Sequence, residues 1–210
     1  MAHIPDGVLS APVLIVGAAV ALMGGAVGLR RLESERIPEA ALLSAVFFVA
    51  ALVHFPVGPT SVHLILNGLT GVVLGWVAFP VIAVALLLQA VLFGFGGIVV
   101  LGVNVASMAV PAVLCRGVFL MIAGSGASRR RVVWGASLAG GVGVLMTALL
   151  VSLALALSGR EFQTIAAVTM LAHVPVAIIE SAFSAAAIGL FARLKPEFLG
   201  LQGHGGTADA

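Results

Sequence analysis

The sequence predicts an all-α integral membrane protein, and three observations lead to that fold class. Of its 210 residues, 61% are hydrophobic and only 9% are charged, whereas soluble domains carry about 25% charged residues. The mean hydropathy is +1.24. The apolar residues also cluster into stretches near the length of about 20 residues that crosses a bilayer as a helix. Because so few polar residues could not cover a soluble globule, we expect a bundle of transmembrane helices.

Seven apolar stretches divide the chain into predicted spans. The second stretch is short, and the third and fourth meet at Trp76–Pro80. The predicted spans cover residues 10–29, 40–54, 61–79, 80–101, 104–123, 132–158 and 165–192. We treat residues 1–195 as one transmembrane domain with an N-terminal segment at 1–9. The Gly-rich residues 196–210 are expected to form a flexible cytoplasmic tail.

The distribution of positive charge predicts how the bundle is oriented. Arg160 stands alone on one side, and Arg116 falls within the fifth span. The other positive residues share the opposite side: Arg30, Arg31, Arg36, Arg129, Arg130, Arg131, Arg193 and Lys195. The positive-inside rule places that side in the cytoplasm. We therefore expect a cytoplasmic C-terminus and an outer N-terminus, because an odd number of spans places the two ends on opposite faces.

Several classes of protein are excluded by the sequence. Cys115 is the single cysteine, so there is no internal disulfide framework. Basic residues are scarce and tyrosine is absent, which argues against nucleic acid as a partner. No stretch matches the phosphate-binding loop G-x-x-x-x-G-K-[ST], so any ATP hydrolysis must belong to a partner subunit. An intramembrane metalloenzyme is a weaker alternative because H-E-x-x-H is also absent.

The chain begins MAHIPDG, which places a histidine beside a terminal amine. If Met1 is removed, the Ala2 amine, the His3 amide and the His3 imidazole supply three nitrogen donors, and a fourth position is left for another histidine. If Met1 is retained, Met1-Ala2-His3 supplies four nitrogens by itself. Planar nitrogen sites suit Cu(II) and Ni(II). The alternative is a solvated histidine followed by a simple turn, in which Asp6 could also orient an imidazole.

Two further histidines flank the segment HFPVGPTSVH, near the predicted outer surface. Its prolines and glycine indicate a rigid loop, and we expect Thr60 or Ser61 to cap the following helix. His63 would then lie in the first turn of that helix. Ionisable groups within membrane spans are costly and often mark function, although a structural, hydrogen-bonded role for His54 or His63 is the alternative.

Three segments in order resemble the CbiM/NikM family: MAHIPDG, FPVGPTSVHLILNGLTG and LLLQAVLFGFGGIVVLGVNVASMAVPAVLC. The resemblance covers about residues 1–192 and is closest to CbiM. Members of the family are substrate-binding (S) subunits of energy-coupling-factor importers for cobalt and nickel. The resemblance therefore implies high-affinity capture and import of Co(II), which supplies cobalamin synthesis, with Ni(II) as the alternative. The planar nitrogen donors favour nickel, whereas the motif set and the lack of a fused extra domain favour cobalt.

The resemblance also implies partners and a location. The partners would be a membrane-embedded coupling (T) subunit, ATPase subunits and a small accessory membrane subunit, all in the plasma (inner) membrane. No prosthetic group is expected, since the metal ion is the transported substrate. The alternative from another class is a stand-alone porter driven by protons through His173 and Glu180.

The resemblance implies that the outer N-terminus is inserted toward the bundle, and that the metal ligands are the processed N-terminus, His3 and His63 of this chain. Family members commonly begin Met-His, whereas this chain begins Met-Ala-His, so loss of Met1 would let Ala2 take the place of that methionine. His54 receives no ligand role, and we place it on the route of the ion or in support of the site. The resemblance implies that the glycine-rich loop between Gln89 and Asn104 covers the metal.

Small residues recur every four positions in the first span, at Gly17, Ala21 and Gly25, with Gly24 and Gly28 as another such pair. This spacing lets helices approach closely, and we interpret it as packing within the bundle, with docking of a membrane partner as the alternative. The same interpretation covers three glycines of the sixth span: Gly140, Gly141 and Gly143.

A few polar residues fall deep within the apolar spans. His173 and Glu180 lie seven residues apart and so share a helix face. Glu180 must be protonated or paired there, and Arg116 is the expected partner. We interpret these three as structural, with a proton or metal relay as the alternative. Asn67 and Asn104 are expected to form hydrogen bonds between helices, and Cys115 to be a small core residue.

Overall fold

The computed structural model describes residues 3–57, 60–124, 126–194 and 199 of the chain. Met1, Ala2 and most of the predicted tail therefore lie outside the described residues. Seven α-helices and one β-hairpin form the described part. In chain order they are α1 (Ala11–Arg30), α2 (Ile37–Ala50), β1 (His54–Val57), β2 (Thr60–His63), α3 (Asn67–Leu74), α4 (Ala78–Phe93), α5 (Leu101–Ile122), α6 (Arg129–Ser158) and α7 (Gln163–Leu194).

Five helical segments are long and apolar enough to cross a membrane. They are Ala11–Arg30, Asn67–Phe93, Leu101–Ile122, Arg129–Ser158 and Arg160–Leu194. Helix α2 has 14 residues and α3 has eight, or about 21 Å and 12 Å at 1.5 Å per residue. Both are shorter than a hydrocarbon core of about 30 Å. The protein is thus a multi-pass, essentially all-helical membrane protein, and seven complete crossings stay a prediction.

The prediction of a helix from residue 61 is wrong. Residues Thr60–His63 form a strand that pairs antiparallel with His54–Val57, with His54 opposite His63. The helix begins only at Asn67, after Leu66 with φ +54°. The physical reason is an acceptor that is distant in sequence. The backbone N–H groups of Ile65 and Leu66 donate to the carboxylate of Glu180 instead of to helical carbonyls. Thr60 and Ser61 therefore lie in a strand and do not cap a helix.

Helix α3 lies at the centre of the bundle, where all eight of its residues are buried. The close approach is made by glycine: a methyl group at Gly71 would lie 1.9 Å from the carbonyl oxygen of Ala112 on α5. At Gly68 it would lie 2.5 Å from the carbonyl of Ala139 on α6. Asn67 joins the same helices, since its Nδ2 donates to Thr147 Oγ1 at 2.8 Å and to the carbonyl of Met108 at 3.1 Å. The expected interhelical role of Asn67 is confirmed.

The small residues of the first and sixth spans pack mainly inside the bundle, as predicted. A methyl group at Gly17, Gly24 or Gly28 would overlap Val103, Phe79 or the carbonyl of Trp76, respectively. Gly140 and Gly141 pack closely against α7, and Gly143 packs against α3. Gly25 differs, because a methyl group there would meet no atom within 4 Å.

The outer surface of the described helices is apolar, as a lipid-facing surface should be. Large exposed side chains occur along α1, α6 and α7, including Ile15, Leu22, Leu149, Leu171 and Ile178. Helices α6 and α7 run antiparallel, with Gly140 beside Ser184 and Gly189 beside Val133. The start of α6, with Arg129, Arg130 and Arg131, and the end of α7, with Arg193, therefore share one end of the bundle. We call it the arginine end.

Candidate metal site

The N-terminal segment lies inside the bundle at the end opposite the arginines. His3 is 4% exposed and Ile4 is 2% exposed. The backbone N–H of Ile4 donates to Asn104 Oδ1 at 3.1 Å, and Asn104 Nδ2 donates back to the Ile4 carbonyl at 3.1 Å. Asn104 lies in the first turn of α5, so this residue fixes the main chain next to His3. The prediction had Asn104 joining two helices, and its partner is instead the N-terminal segment.

His63 lies at the end of β2, and its ring stacks on that of His3. The ring centroids are 4.7 Å apart and the planes differ by 16°. His63 is 1% exposed. Its Nδ1 lies 2.8 Å from the carbonyl oxygen of Leu64, and because a carbonyl can only accept, Nδ1 carries a proton; in the neutral imidazole Nε2 then holds the lone pair. Metal-binding histidines are commonly oriented in this way. We call His3 and His63 the histidine pair.

Residues 94–100, which we call the covering loop, lie against the histidine pair. The Phe95 ring is nearly parallel to the His3 ring, with centroids 6.4 Å apart. Asp6 Oδ1 accepts a hydrogen bond from the backbone N–H of Val100 at 3.0 Å, so Asp6 connects the N-terminal segment to the loop. A methyl group at Gly97 would lie 2.1 Å from Asp6 Cγ. The loop therefore packs against His3 and the N-terminal segment, while its role as a cover over a metal ion stays a prediction.

Glu180 on α7 positions the chain that follows His63. It is fully buried, and its carboxylate accepts from the backbone N–H groups of Ile65 and Leu66, the latter at 2.8 Å. The expected pairing with Arg116 is wrong, because Arg116 donates to the carbonyls of Val72 and Val73. The sequence signal was a lone carboxylate in an apolar span, but its partners are main-chain groups more than a hundred residues away.

His173 lies two turns before Glu180 on the same face of α7. It is 1% exposed, and its Nδ1 lies 2.7 Å from the carbonyl of Thr169 in its own helix. Within the described part of the chain, its Nε2 has no hydrogen-bond partner. A cavity of about 520 Å³ separates α7 from the N-terminal segment and is lined by both His3 and Thr169. His173 is thus near this cavity, although it does not join the histidine pair.

The remaining candidates do not join the site as described. Cys115 is buried, and its Sγ lies 3.1 Å from the carbonyl of Ala139, consistent with a core residue. Gln89 donates to the carbonyl of Phe48 on α2 at 3.3 Å. The backbone of His54 is in β1, but its side chain lies outside the described part, as do Met1 and Ala2.

The donor chemistry of the site follows from these positions. Across the described residues, no group of three or more His, Cys, Asp or Glu side chains is placed to hold a metal ion. A metal ion at the histidine pair would need donors beyond these two side chains, and main-chain nitrogens are the ones that the resemblance implies. Two imidazoles with main-chain nitrogen suit a borderline divalent transition metal better than Mg²⁺ or Ca²⁺, which prefer oxygen.

Comparison with known proteins identifies relatives along nearly the whole chain. A family described as CbiM, cobalt uptake substrate-specific transmembrane region, matches residues 3–198. A putative metal transport protein of Haemophilus influenzae is 45% identical and aligns with 94% of this chain and 96% of its own length. The fused nickel transport protein NikMN of Rhodobacter capsulatus is 35% identical, with 84% of this chain covering 53% of that protein.

Cobalt proteins and solved structures also match. The cobalt transport protein CbiM of Kyrpidia tusciae is 32% identical, with 94% of this chain and 85% of that protein covered. A crystal structure of a truncated transition metal transporter has a TM-score of 0.77 at 25% identity, and covers 92% of this chain and 99% of its own. The fold and the metal-transport class are thus common to the relatives, which include proteins named for cobalt and for nickel.

Proposed function

Because the chain belongs to the CbiM family of cobalt-uptake transmembrane proteins, we propose that it is the substrate-binding subunit of an energy-coupling-factor importer. It captures a divalent transition-metal ion, Co(II), on the outer side of the plasma membrane and passes it inward to supply cobalamin synthesis. The observation that carries this proposal is the buried stack of His3 on His63. Two imidazoles held together inside a membrane bundle need a functional reason, since burying them is costly.

The proposed ligands are the lone pair of His63, the imidazole and amide of His3, and the terminal amine of a mature chain that begins at Ala2. What supports this set is the burial of His3, one residue from that amine. The two bonds between Ile4 and Asn104 also fix the adjacent main chain. If Met1 were retained, the terminal three residues would supply four nitrogens and His63 would not be required.

Cobalt is the proposed ion, and nickel is the alternative. The family description supports cobalt, and so does the relative from Kyrpidia tusciae that is named a cobalt transport protein. Nickel has support from the relative named NikMN and from the preference of planar nitrogen sites for Ni(II). A direct competition between the two ions distinguishes these proposals.

Transport energy is proposed to come from separate ATPase subunits, joined through a membrane-embedded coupling subunit and a small accessory membrane subunit. The chain itself has no phosphate-binding loop. Metal uptake by cells that express the chain with its ATPase should therefore stop when the Walker lysine of that ATPase is replaced. Unchanged uptake would contradict ATP coupling and favour a stand-alone porter.

Native mass spectrometry of the full-length chain tests the ligand set directly. The protein is made with an untagged N-terminus and measured with Co(II), with Ni(II) and with both at equal concentration. We expect a mass that lacks one methionine, one bound ion, and preference for Co(II). The matched variants are H63A and a chain with Gly-Ser added before Ala2, and both should lose the ion.

Each other outcome contradicts a defined part of the proposal. A retained Met1, with one ion that H63A still holds, would move the site to the terminal three residues. Preference for Ni(II) would contradict cobalt as the substrate but would agree with the proposed ligand set. Well-folded protein without any bound ion in excess metal would overturn the proposed capture function.

A further inference from the structure

A second cavity, of about 390 Å³, lies at the arginine end of the bundle, away from the histidine pair. It is bounded by the end of α1, the connection between α3 and α4, and the second half of α5. Three arginines line it, with Trp76 and main chain at Gly75: Arg31, Arg36 and Arg116. We call it the arginine pocket. Nothing in the metal-capture chemistry uses these residues.

Two of the guanidinium groups are held close together by one carbonyl. Arg116 Nη1 lies 3.3 Å from the Val73 oxygen, and Arg36 Nη2 lies 3.1 Å from the same oxygen. Val73 is near the C-terminal end of α3, where the helix dipole attracts cations. The structure thus fixes two like charges within a few ångströms of each other, which is unfavourable unless negative charge is supplied nearby.

The negative charge supplied by the described residues is incomplete. Arg36 pairs with Glu39, whose Oε2 lies 3.0 Å from its Nε. No acidic residue is among those that line the pocket, and in the described part of the chain Glu39 is the one carboxylate that forms a salt bridge with any of the three arginines. The third arginine, Arg31, lies over the Trp76 ring at 5.5 Å from the centroid.

Several donors of the pocket also remain open. Within the described residues, the hydrogen bonds of Arg116 come from Nη1 alone, and those of Arg36 from Nε and Nη2. A guanidinium has five N–H donors in a planar fork that fits phosphate oxygens. The pocket therefore presents unfilled donors and excess positive charge to an anion of phosphate geometry.

Exposed apolar side chains occur in and next to the segments that line the pocket. Leu120 lines it and is exposed, Leu29 and Met121 are exposed close by in sequence, and Trp76 is 36% exposed, as expected of an aromatic residue at a membrane interface. A soluble anion would gain nothing from these neighbours, whereas acyl chains could lie along them. Basic pockets between helices at the cytoplasmic face commonly bind anionic headgroups.

We propose that the arginine pocket binds the phosphodiester headgroup of an anionic phospholipid, with its acyl chains against the exposed residues of α1 and α5. Arg31 closes the pocket from the solvent side, and Arg36 and Arg116 hold the phosphate from within. The proposal does not depend on which metal is transported. It concerns a lipid site at the opposite end of the bundle.

The test measures lipid binding to the full-length chain in detergent by native mass spectrometry and by the midpoint of thermal unfolding. The probes are dioleoyl-phosphatidylglycerol, dioleoyl-phosphatidylcholine and inorganic phosphate. We expect one tightly retained phosphatidylglycerol and a raised midpoint, with no such effect of phosphatidylcholine or phosphate. R31Q should weaken phosphatidylglycerol binding by about fivefold, the usual effect of one positive charge near anionic lipid.

The matched control is R129Q, which removes an exposed arginine at the same end but outside the pocket. R129Q should bind phosphatidylglycerol as the wild type does. Because R116Q could unfold the protein, R36Q is the second pocket variant, and it should also lose affinity. Equal loss in R129Q and R31Q would overturn the pocket in favour of diffuse charge attraction. Equal retention of phosphatidylcholine, or an equal shift with phosphate alone, would overturn the proposed lipid.

Discussion

At one end of the bundle, His3 and His63 are stacked and almost wholly buried. At the other end, Arg31 is exposed and lines a pocket together with Arg36 and Arg116. The histidine pair is fixed by main-chain hydrogen bonds from irregular segments, to Asn104 on α5 and to Glu180 on α7. The arginine pocket is built from long side chains at helix ends and on one helix: Arg31 follows α1, Arg36 precedes α2 and Arg116 lies on α5. The difference matches the ligands that we propose for the two ends.

A small metal ion needs several donors within a few tenths of an ångström of fixed positions, so its site must be rigid before it binds. Polar main chain in a membrane must also be satisfied by the protein itself. Both requirements are met where Glu180 accepts the N–H groups that follow His63. An amphipathic anion tolerates flexible arginines, because charge attraction acts over a longer range. The predictions below test whether the two ends differ in this way.

The largest effect is expected from removing a ligand of the histidine pair. H63A should weaken Co(II) binding by at least about 100-fold. That is the upper end of the loss observed when a residue that only hydrogen-bonds to a metal ligand is replaced, and loss of the ligand itself should cost at least as much. Competition against a metal-sensitive dye measures the affinity. The comparison variant is H54A, opposite His63 in the hairpin register, which should weaken binding by no more than about 10-fold, as expected of a residue that only supports the site. Comparable loss in both variants would contradict a distinct ligand role for His63.

The next effect is expected at Glu180. E180A leaves two buried N–H groups without their acceptor, which costs about 1–3 kcal/mol each, and should lower both the unfolding midpoint and the metal affinity by 10-fold or more. E180Q retains one amide oxygen and should show a smaller loss. The control is S184A, one turn further along α7, which should change neither property.

The contrast between E180Q and E180A also distinguishes positioning from proton transfer. A positioning residue should be partly rescued by glutamine, and the remaining loss should appear in metal affinity. A proton-coupled porter would instead lose all transport in E180Q while metal affinity stays unchanged. That second pattern would contradict the role that we derive from the bonds to Ile65 and Leu66.

The sequence predicted the long helices well because their apolar stretches are local and continuous. The predicted span 132–158 corresponds to α6 at Arg129–Ser158, and 165–192 corresponds to α7 at Gln163–Leu194. The prediction failed at the start of 61–79. Local hydrophobicity favours a helix there, but the buried carboxylate of Glu180 accepts the backbone N–H groups of Ile65 and Leu66. A non-local bond of this kind leaves no signal in a window of neighbouring residues.

The site was predictable to a similar extent. Chelation by the N-terminal residues follows from the chemistry of an amine, an amide and an imidazole, and the family resemblance pointed to His63. The structure confirms that His3 and His63 come together, while their ligation of a metal stays a prediction. The two bonds between Asn104 and Ile4 were missed, because an asparagine at the start of an apolar helix does not indicate its partner.

A moderate effect is expected from opening the covering loop. G97A places a methyl group where Asp6 lies, so the bond from Val100 to Asp6 must be given up. One such hydrogen bond contributes about 1 kcal/mol, and we expect Co(II) to dissociate about fivefold faster. Stopped-flow chase with a chelator measures the rate. G25A on α1, where a methyl group meets nothing within 4 Å, should dissociate at the wild-type rate.

The smallest effect on the metal is expected from the arginine pocket, and this is the sharpest test of the comparison. R31Q should weaken phosphatidylglycerol binding yet leave the Co(II) affinity within about twofold of the wild type, since distant sites without shared partners act additively. Both affinities are measured on the same detergent-solubilised preparation. If phosphatidylglycerol instead changed the Co(II) affinity in the wild type and not in R31Q, the two ends would be energetically coupled. The metal site and the lipid site would then not be independent. Because such coupling is reciprocal, bound metal would change the lipid affinity by the same factor.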